Sequence, residues 1–405
     1  MIDKSLIQLI AEQEESLKKE LRFVSDFLYK NPEIGMKEYL ASDLLSGIAE
    51  NHGFTVTRNF CGMETAFLAE FCNGSGPTIA FLAEYDALPG FGPEGKPGHA
   101  CGHNWIAATT VGAALVLSKL SLHFQGTIQL IGSPGMENYG GKVDMVRAHV
   151  FDSVDAAIQP HLEQHTSLDC RSLALDAIQF NFKGRASHSA IYAQEGVNAL
   201  DAVQFMFIGV NALKNHLRRD AKIHGIITSG GETPSVITEN ASCRFYIRAL
   251  NRSYLNTVTQ KVIRCAEGAA LMAGAEMVYE PFENPCDDLI NNKVLQDIMR
   301  EYMDLEEIPI TYTYQEISAS FASDDIGSVS YVCPSLYVEF DMEAPGEFRI
   351  HDATAMKYVN SELSYHKMDQ AVRILAGSAM ELFLNPDKVK NARLELRKTL
   401  AEKIF

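Results

Sequence analysis

Hydrophobic and polar positions follow two different rhythms along the chain, and the change falls near residue 173. Residues 5–30 repeat at the helical period. TAFLAEF and TIAFLAEYDAL then read as strands. The second is so nearly all apolar that it predicts a central strand, buried on both faces. NWIAATTVGAALVLSKL predicts a strongly apolar helix after a glycine-rich loop. GTIQLIGSPG predicts a strand ending in a turn, KVDMVRAHVF a returning helix, and DAAIQPH a short buried strand. Alternation of this kind predicts an α/β sheet layered with helices.

Beyond 173 the strands become half-exposed. LDAIQFNFKG alternates, GVNALDAVQFMFIGVNALKNHL is a long amphipathic helix, and KIHGIITSGG and NASCRFYIRAL are strands. SYLNTVTQKVIRCAEGAALMAG is a helix and EMVYEPF a strand. This order, βαββαβ, is the split pattern of a small α+β domain. A helix is expected again from 288, SLYVEFDM reads as a strand, and the run ATAMKYVNSELSYHKMDQAVRILAGSAMELFL as one last long helix covering the first domain. The expected organisation is a discontinuous domain, 1–172 and 288–405, interrupted by a smaller one at 173–287.

Composition narrows the function. At 405 residues the chain suits two domains rather than one core. A net charge of −17, with no basic stripe, excludes broad nucleic-acid binding. No apolar run approaches the ~20 residues of a membrane span. The opening MIDKSLIQLIAEQEESLKKEL reads as a charged amphipathic helix rather than a signal peptide. Eight dispersed cysteines without a CxxC pair fit reduced thiols and a cytoplasmic setting.

Several predicted strands stop in residues able to bind metal. EYDALPGFGPEGKPGHACGHN carries Asp86, His99, Cys101 and His103 across a strand-to-helix loop; a thiolate and an imidazole two residues apart can chelate one divalent ion. Asp86 can bind metal or orient a ligand histidine. GMEN supplies Glu137 and QPHLE supplies His161, and open α/β folds place their sites at strand carboxyl ends. A Cys–x–His pair alone fits a buried cysteine beside a surface histidine equally well. His188, His224 and Arg248 form a second group, with a solvent-facing histidine and a surface salt bridge as the plain alternatives. Asp324, Asp325 and His351 form a third, His351 standing where a helix start would make it a capping context as much as a ligand. Trp105 reads as core or pocket wall, and the other cysteines as packing.

These segments in this order, AEYDALPG…GHACGHN, GSPGMEN…GGK, GRASHSA…EGVNALDA, HGIITSGGETPSVI, FYIRAL and DDIGSVSYVCPS, resemble the M20 metallopeptidase family. The likeness is to its amidohydrolase branch, which holds auxin-conjugate, aminobenzoyl-glutamate and β-alanyl-dipeptide hydrolase-like proteins. The resemblance covers most of the chain. It implies a zinc-peptidase-like α/β domain with a mixed sheet, interrupted by a lid domain that forms a homodimer. It implies one or two divalent ions, zinc or manganese before cobalt or nickel, held by Cys101, His103, Glu137, His161 and His351, with Cys101 bridging. Glu84 falls where other branches of the family carry a ligand histidine, and reads as a spare carboxylate here.

The implied activity is hydrolysis of an amide C–N bond in a small N-acyl amino acid or dipeptide-like substrate bearing a carboxylate. Arg248 would grip that carboxylate, with His188 and Ser235 nearby, and His224 would reach across the dimer to steady the oxyanion. Asp86 would orient a ligand. The family pairs two glutamates, base then ligand, where this chain has Met136-Glu137. Either Glu137 is the ligand and the base is gone, leaving Met136 as an apolar wall, or the frame shifts, Glu137 is the base and Asn138 the ligand. Glu163, and after it Asp324, are the acids able to substitute as base. The competing expectation is a non-hydrolytic descendant that binds a small molecule or acts on a different bond.

Overall fold

A computed structural model describes residues 4–313 and 322–403. The chain divides into two compact units. The first comprises the described parts of Met1–Arg171, Leu289–Gln315 and Ser328–Phe405, the second those of Ser172–Asp288 and Glu316–Gly327.

In the first unit the order is α1 (Lys4–Lys30), α2 (Tyr39–Asn51), β1 (Thr55–Arg58), β2 (Phe67–Cys72), β3 (Thr78–Ala83), α3 (His103–Lys119), β4 (Thr127–Gly132), α4 (Gly141–Arg147) and β5 (Ala156–Glu163). Its six strands, counting β10 (Ser335–Asp341), lie in the order β1-β2-β4-β3-β5-β10. β4, β3, β5 and β10 are parallel, while β1 and β2 run antiparallel along one side. β3 is the buried central strand expected from its apolar run, with Phe81 level with both Leu130 and Ile158. α3 packs on β3, β4 and β5 and against α1. Sixteen of its seventeen residues are buried, as befits a helix apolar all round. Trp105 is core: it is fully buried, and its indole N–H donates to Ser364 O at 2.9 Å.

The second unit holds β6 (Ala174–Lys183), α5 (Ala199–Lys214), β7 (Lys222–Ser229), β8 (Asn240–Ala249), α6 (Arg252–Ala273) and β9 (Glu276–Pro281). This is the βαββαβ order, folded as an antiparallel sheet β7-β8-β6-β9 with α5 and α6 packed together. Arg252 clamps the ends of this insertion: Nη1 donates to Asp176 and Nε to Asp287, both at 2.6 Å. Residues 322–327 also pack with this unit, where Ser172 Oγ accepts from Asp324 N at 2.7 Å.

The remaining helices are α7 (Lys293–Leu305), α8 (Ile326–Ser330), α9 (Glu362–Leu384) and α10 (Pro386–Lys403). Two helix starts come later than their patterns suggest. Asn292 caps α7 through Leu295 N, so the helix does not begin at 288. The run from 353 is not one helix: Ser361 is extended and forms a reciprocal capping box with Ser364, which starts α9 at Glu362. His351 therefore lies in a turn ahead of α9, with φ +57, and not at a helix start. Asp352, not His351, accepts the nearby backbone N–H, from Thr354 at 2.8 Å. α2 and β1 carried no mark in the sequence pattern.

Candidate metal centre

The carboxyl ends of four neighbouring parallel strands carry the candidate ligands. Glu84 and Asp86 follow β3, Glu137 follows β4, His161 lies near the end of β5, and His351 follows β10. Cys101 and His103 close the loop from β3 to α3. Gly102 between them takes φ +80, where a Cβ would be strained and would press on Leu162. The glycine turns the chain so that α3 begins at His103.

Two of the donor groups found among the described residues share Cys101, each with all members within 4.8 Å of one another: Cys101, His103 and His161, and Cys101, Glu137 and His351. Cys101 Sγ belongs to both, 3.4 Å from His161 Nε2 and 3.3 Å from His351 Nε2. Glu137 Oε1 lies 3.2 Å from His351 Nε2 and 3.7 Å from His103 Nε2.

The surroundings aim these atoms inward. His103 Nδ1 donates to Asp86 Oδ1 at 2.8 Å, leaving Nε2 for the centre. Asp86 Oδ2 accepts from Glu137 N at 2.9 Å, so one carboxylate orients two of the five candidates. His161 Nδ1 is satisfied by Leu162 O at 2.8 Å, which turns Nε2 to Cys101. The Asn138 side chain turns away, its Nδ2 donating to Gly35 O at 3.3 Å. A Cβ at Gly35 would fall 2.1 Å from Asn138 Oδ1, so only glycine admits this approach.

Electrostatics fit a cation. Burial pushes the Asp86 carboxyl up, but the His103 charge and the Glu137 amide outweigh it, and it sits below its ordinary value. Burial opposes the charge on His103, yet Asp86, Glu84 and Glu137 raise it to about 10. Burial and then the His103 charge lower His161 to about 4. Burial, reinforced by Glu137, pushes the Cys101 thiol well up. His103 Nε2, Glu137 Oε1 and Glu84 Oε2 are all buried without a hydrogen-bond partner. His103 Nε2 and Glu137 Oε1, each grouped with the Cys101 thiol, fit divalent ions of the borderline type, which accept sulfur, imidazole and carboxylate together.

Glu163 follows His161 by two positions, on the same face of β5. Burial, with the Glu339 charge, raises its carboxyl to about 7. Met136 is half-buried beside Glu137. Of the other expected site residues, His188, His224, Ser235 and Arg248 belong to the second unit. His188 bridges to Val236 next to exposed Ser235. His224 on β7 stands level with Tyr246 on β8, and both share a sheet face with Arg248. The Arg248 guanidinium lies 4.8 Å from the Tyr246 ring centre, and its Nε donates to Ser323 Oγ at 3.2 Å. Asp324 is buried and accepts from Ile326 N.

Sequence reasoning missed Lys142 and Glu38. Lys142, fully buried, donates to Glu84 Oε1 at 2.5 Å. Glu38, also buried, accepts from Gly135 N and Thr65 Oγ1, both at 2.8 Å, and so anchors the Met136–Glu137 loop. Each meets partners far away in sequence, so no local spacing signals it.

A mixed sheet with sulfur, imidazole and carboxylate donors at its parallel strand ends, plus an α+β insertion, defines a metallohydrolase class. Comparison makes this specific: the chain belongs to the peptidase family M20/M25/M40, whose model matches residues 80–381. That family is one of peptidases, enzymes that hydrolyse amide C–N bonds. It is 36% identical to one of the p-aminobenzoyl-glutamate hydrolase chains of Escherichia coli over 291 residues, 68% of this chain and 60% of that protein. It is 28% identical to the Xaa-Arg dipeptidase of Mus musculus over 408 residues, 97% of this chain and 92% of that one. The fold matches an aminobenzoyl-glutamate utilization protein from Klebsiella pneumoniae, with TM-score 0.73, 19% identity, and 92% and 98% of the two chains covered. It also matches Bacillus subtilis YXEP, described as a dinuclear metal-binding peptidase of this family, with TM-score 0.66, 18% identity, and 91% and 99% coverage. Among the described residues no helix is long and apolar enough to cross a membrane.

Proposed function

We propose that this chain is a metal-dependent amidohydrolase that cleaves the amide C–N bond of a small N-acyl amino acid or dipeptide-like substrate bearing a carboxylate. The observation that carries this is the pair of donor groups meeting at Cys101. Cys101, His103 and His161 would hold one ion, and Cys101, Glu137 and His351 a second, zinc or manganese suiting the mixed donors. When bound, such ions polarise an amide oxygen and make water more acidic.

The chain's own residues supply the rest. The Arg248 guanidinium offers a fork suited to a carboxylate, and His188 and Ser235 extend that region. Asp86 holds the two donors it touches in place. With the Asn138 side chain committed to Gly35, Glu137 serves as the ligand and not the base. Met136 then presents an apolar wall that holds no proton. Glu163 takes and returns the proton at its carboxyl, and a value near 7 suits that task. The second unit pairs with its copy through β7 and α5, and His224 on β7 steadies the substrate oxyanion from the partner protomer. Exposed Ile226 and Ile227 on β7, and Phe205 and Ile208 on α5, support that pairing. The setting is cytoplasmic.

Met136 favours a second reading, a family member that binds its small molecule without cleaving it. Metal analysis and a panel of p-aminobenzoyl-glutamate, Xaa-Arg dipeptides and N-acyl amino acids separate the two. The hydrolase reading expects turnover by the wild type and a loss of roughly 10²–10⁴-fold in Glu163→Gln. Turnover only in Met136→Glu sinks it and leaves the binding protein. Full activity in Glu163→Gln removes Glu163 from the proton role.

A further inference from the structure

The sheet face of the second unit that bears Arg248 also holds two aromatic rings and an acid that the proposed chemistry leaves unused. Tyr246 lies two residues before Arg248 on β8, and so on the same face. Its ring centre is 4.8 Å from the Arg248 guanidinium, and its hydroxyl donates to Glu283 Oε1 at 2.5 Å. Ala177 on β6 stands level with Tyr246, and its carbonyl accepts from Phe282 N at 3.1 Å. That small residue leaves room for the Tyr246 and Phe282 rings to meet, 5.4 Å between centres. The Arg244 guanidinium lies 4.6 Å from the Phe282 ring centre, and its Nε donates to Gln179 Oε1 at 2.8 Å. Arg248 itself is engaged through Nε, with Ser323; among the described residues its two terminal nitrogens have neither a hydrogen bond nor an ion pair. Burial lowers the Arg248 guanidinium below its ordinary value, with Tyr246 and then Glu283 opposing.

An arginine side chain loses much rotamer freedom when it binds, and its planar fork meets a carboxylate well only if that plane is already held. From this chain of contacts we infer that Glu283 and Tyr246 are positioning residues for Arg248. Glu283 fixes the phenol, and the ring carries the guanidinium with its terminal nitrogens left for the substrate carboxylate. The inference rests on the reading of Arg248 as the carboxylate grip. It gives Glu283 an effect opposite to that of its charge. As a charge alone, an acid near a carboxylate receptor repels the substrate, and removing it tightens binding. As the anchor of Tyr246, its removal loosens binding.

The test measures kcat and KM on the manganese-loaded full chain. The chains are wild type, Tyr246→Phe, Glu283→Ala, Glu283→Gln, Tyr246→Phe with Glu283→Ala, and Arg248→Met. The substrates are each member of the panel above that the wild type hydrolyses, and its α-carboxamide counterpart. KM for the carboxylate substrate should rise roughly 3–10-fold in Tyr246→Phe and in Glu283→Ala, with kcat within about 2-fold of wild type. The two changes together should cost no more than either alone, because they break one contact. Glu283→Gln keeps an oxygen that accepts from the phenol and should stay closer to wild type than Glu283→Ala. KM for the carboxamide should not move. An unchanged or lower KM in Tyr246→Phe or Glu283→Ala overturns the inference, and so does an equal rise on the carboxamide. Should Glu283→Ala fail to fold, Tyr246→Phe, which loses one oxygen only, decides. If Arg248→Met prefers carboxylate to carboxamide as strongly as wild type does, the carboxylate-grip reading itself falls and takes this inference with it. A wild type that hydrolyses none of the panel overturns the hydrolase reading and the inference together.

Discussion

Asp86 is the smallest unit that explains the centre's geometry. It sits just past the end of β3, with one oxygen on the His103 ring and the other on the Glu137 backbone. Asp86→Asn keeps the volume but removes the charge that sets the ring's orientation. A drop of about 10–100-fold in affinity for the His103-side ion is expected, measured by chelator competition; unchanged affinity would mean that packing alone holds the ring. The motif residues around Asp86 were legible because the chemistry lay within short spacings: DALPG, the Cys–Gly–His turn, and ligand types at strand ends. Lys142 and Glu38 were not, since a lysine or glutamate declares its role only through its partner. Those partners lie 58 residues away for Lys142, and 27 and 97 away for Glu38. Glu84 was visible, but its two unlike oxygens were not.

Glu38 also acts at the level of elements. It stands just before α2 and reaches the loop after β4, joining two segments that local pattern treats as unrelated. Burial, with the Asp86 charge, raises its carboxyl from 4.5 to about 7. The folded chain thus binds this proton more tightly than the unfolded chain. Its stabilising contribution is complete below about pH 4.5 and is lost as pH rises through 7. Removing the titration with Glu38→Gln should improve metal-free stability at pH 8 relative to pH 5 by up to about 3 kcal/mol against wild type. Urea unfolding at the two pH values measures this, and parallel profiles for the two chains would refute it. Most elements were readable from period and apolar content. The failures were at boundaries, where Ser361 and Asn292 start α9 and α7 by capping although apolar positions continue upstream.

At the level of the molecule, the βαββαβ run announced an inserted unit, because period-two strands replace the fully apolar ones. The Arg252 clamp explains how such an insertion leaves and re-enters at one place, and nothing in sequence spacing could reveal it. β7 is an edge strand with exposed Ile226 and Ile227, a surface that invites pairing with another copy. Ile226→Lys together with Ile208→Glu should convert a dimer into a folded monomer by light scattering, with hydrolysis lost because His224 no longer meets a partner. A wild type already monomeric, or a double variant still dimeric, would remove this interface.

Cys101 is a single sulfur that faces two imidazoles and serves both donor groups. Burial pushes its thiol well up, so under the two-ion proposal the first ion to arrive would have to displace a proton. The second then finds a thiolate already formed. Under that proposal the two occupancies would be linked through this one sulfur: the vacant centre would resist partial filling, and scarce metal would sort the population into chains that are empty and chains that are full.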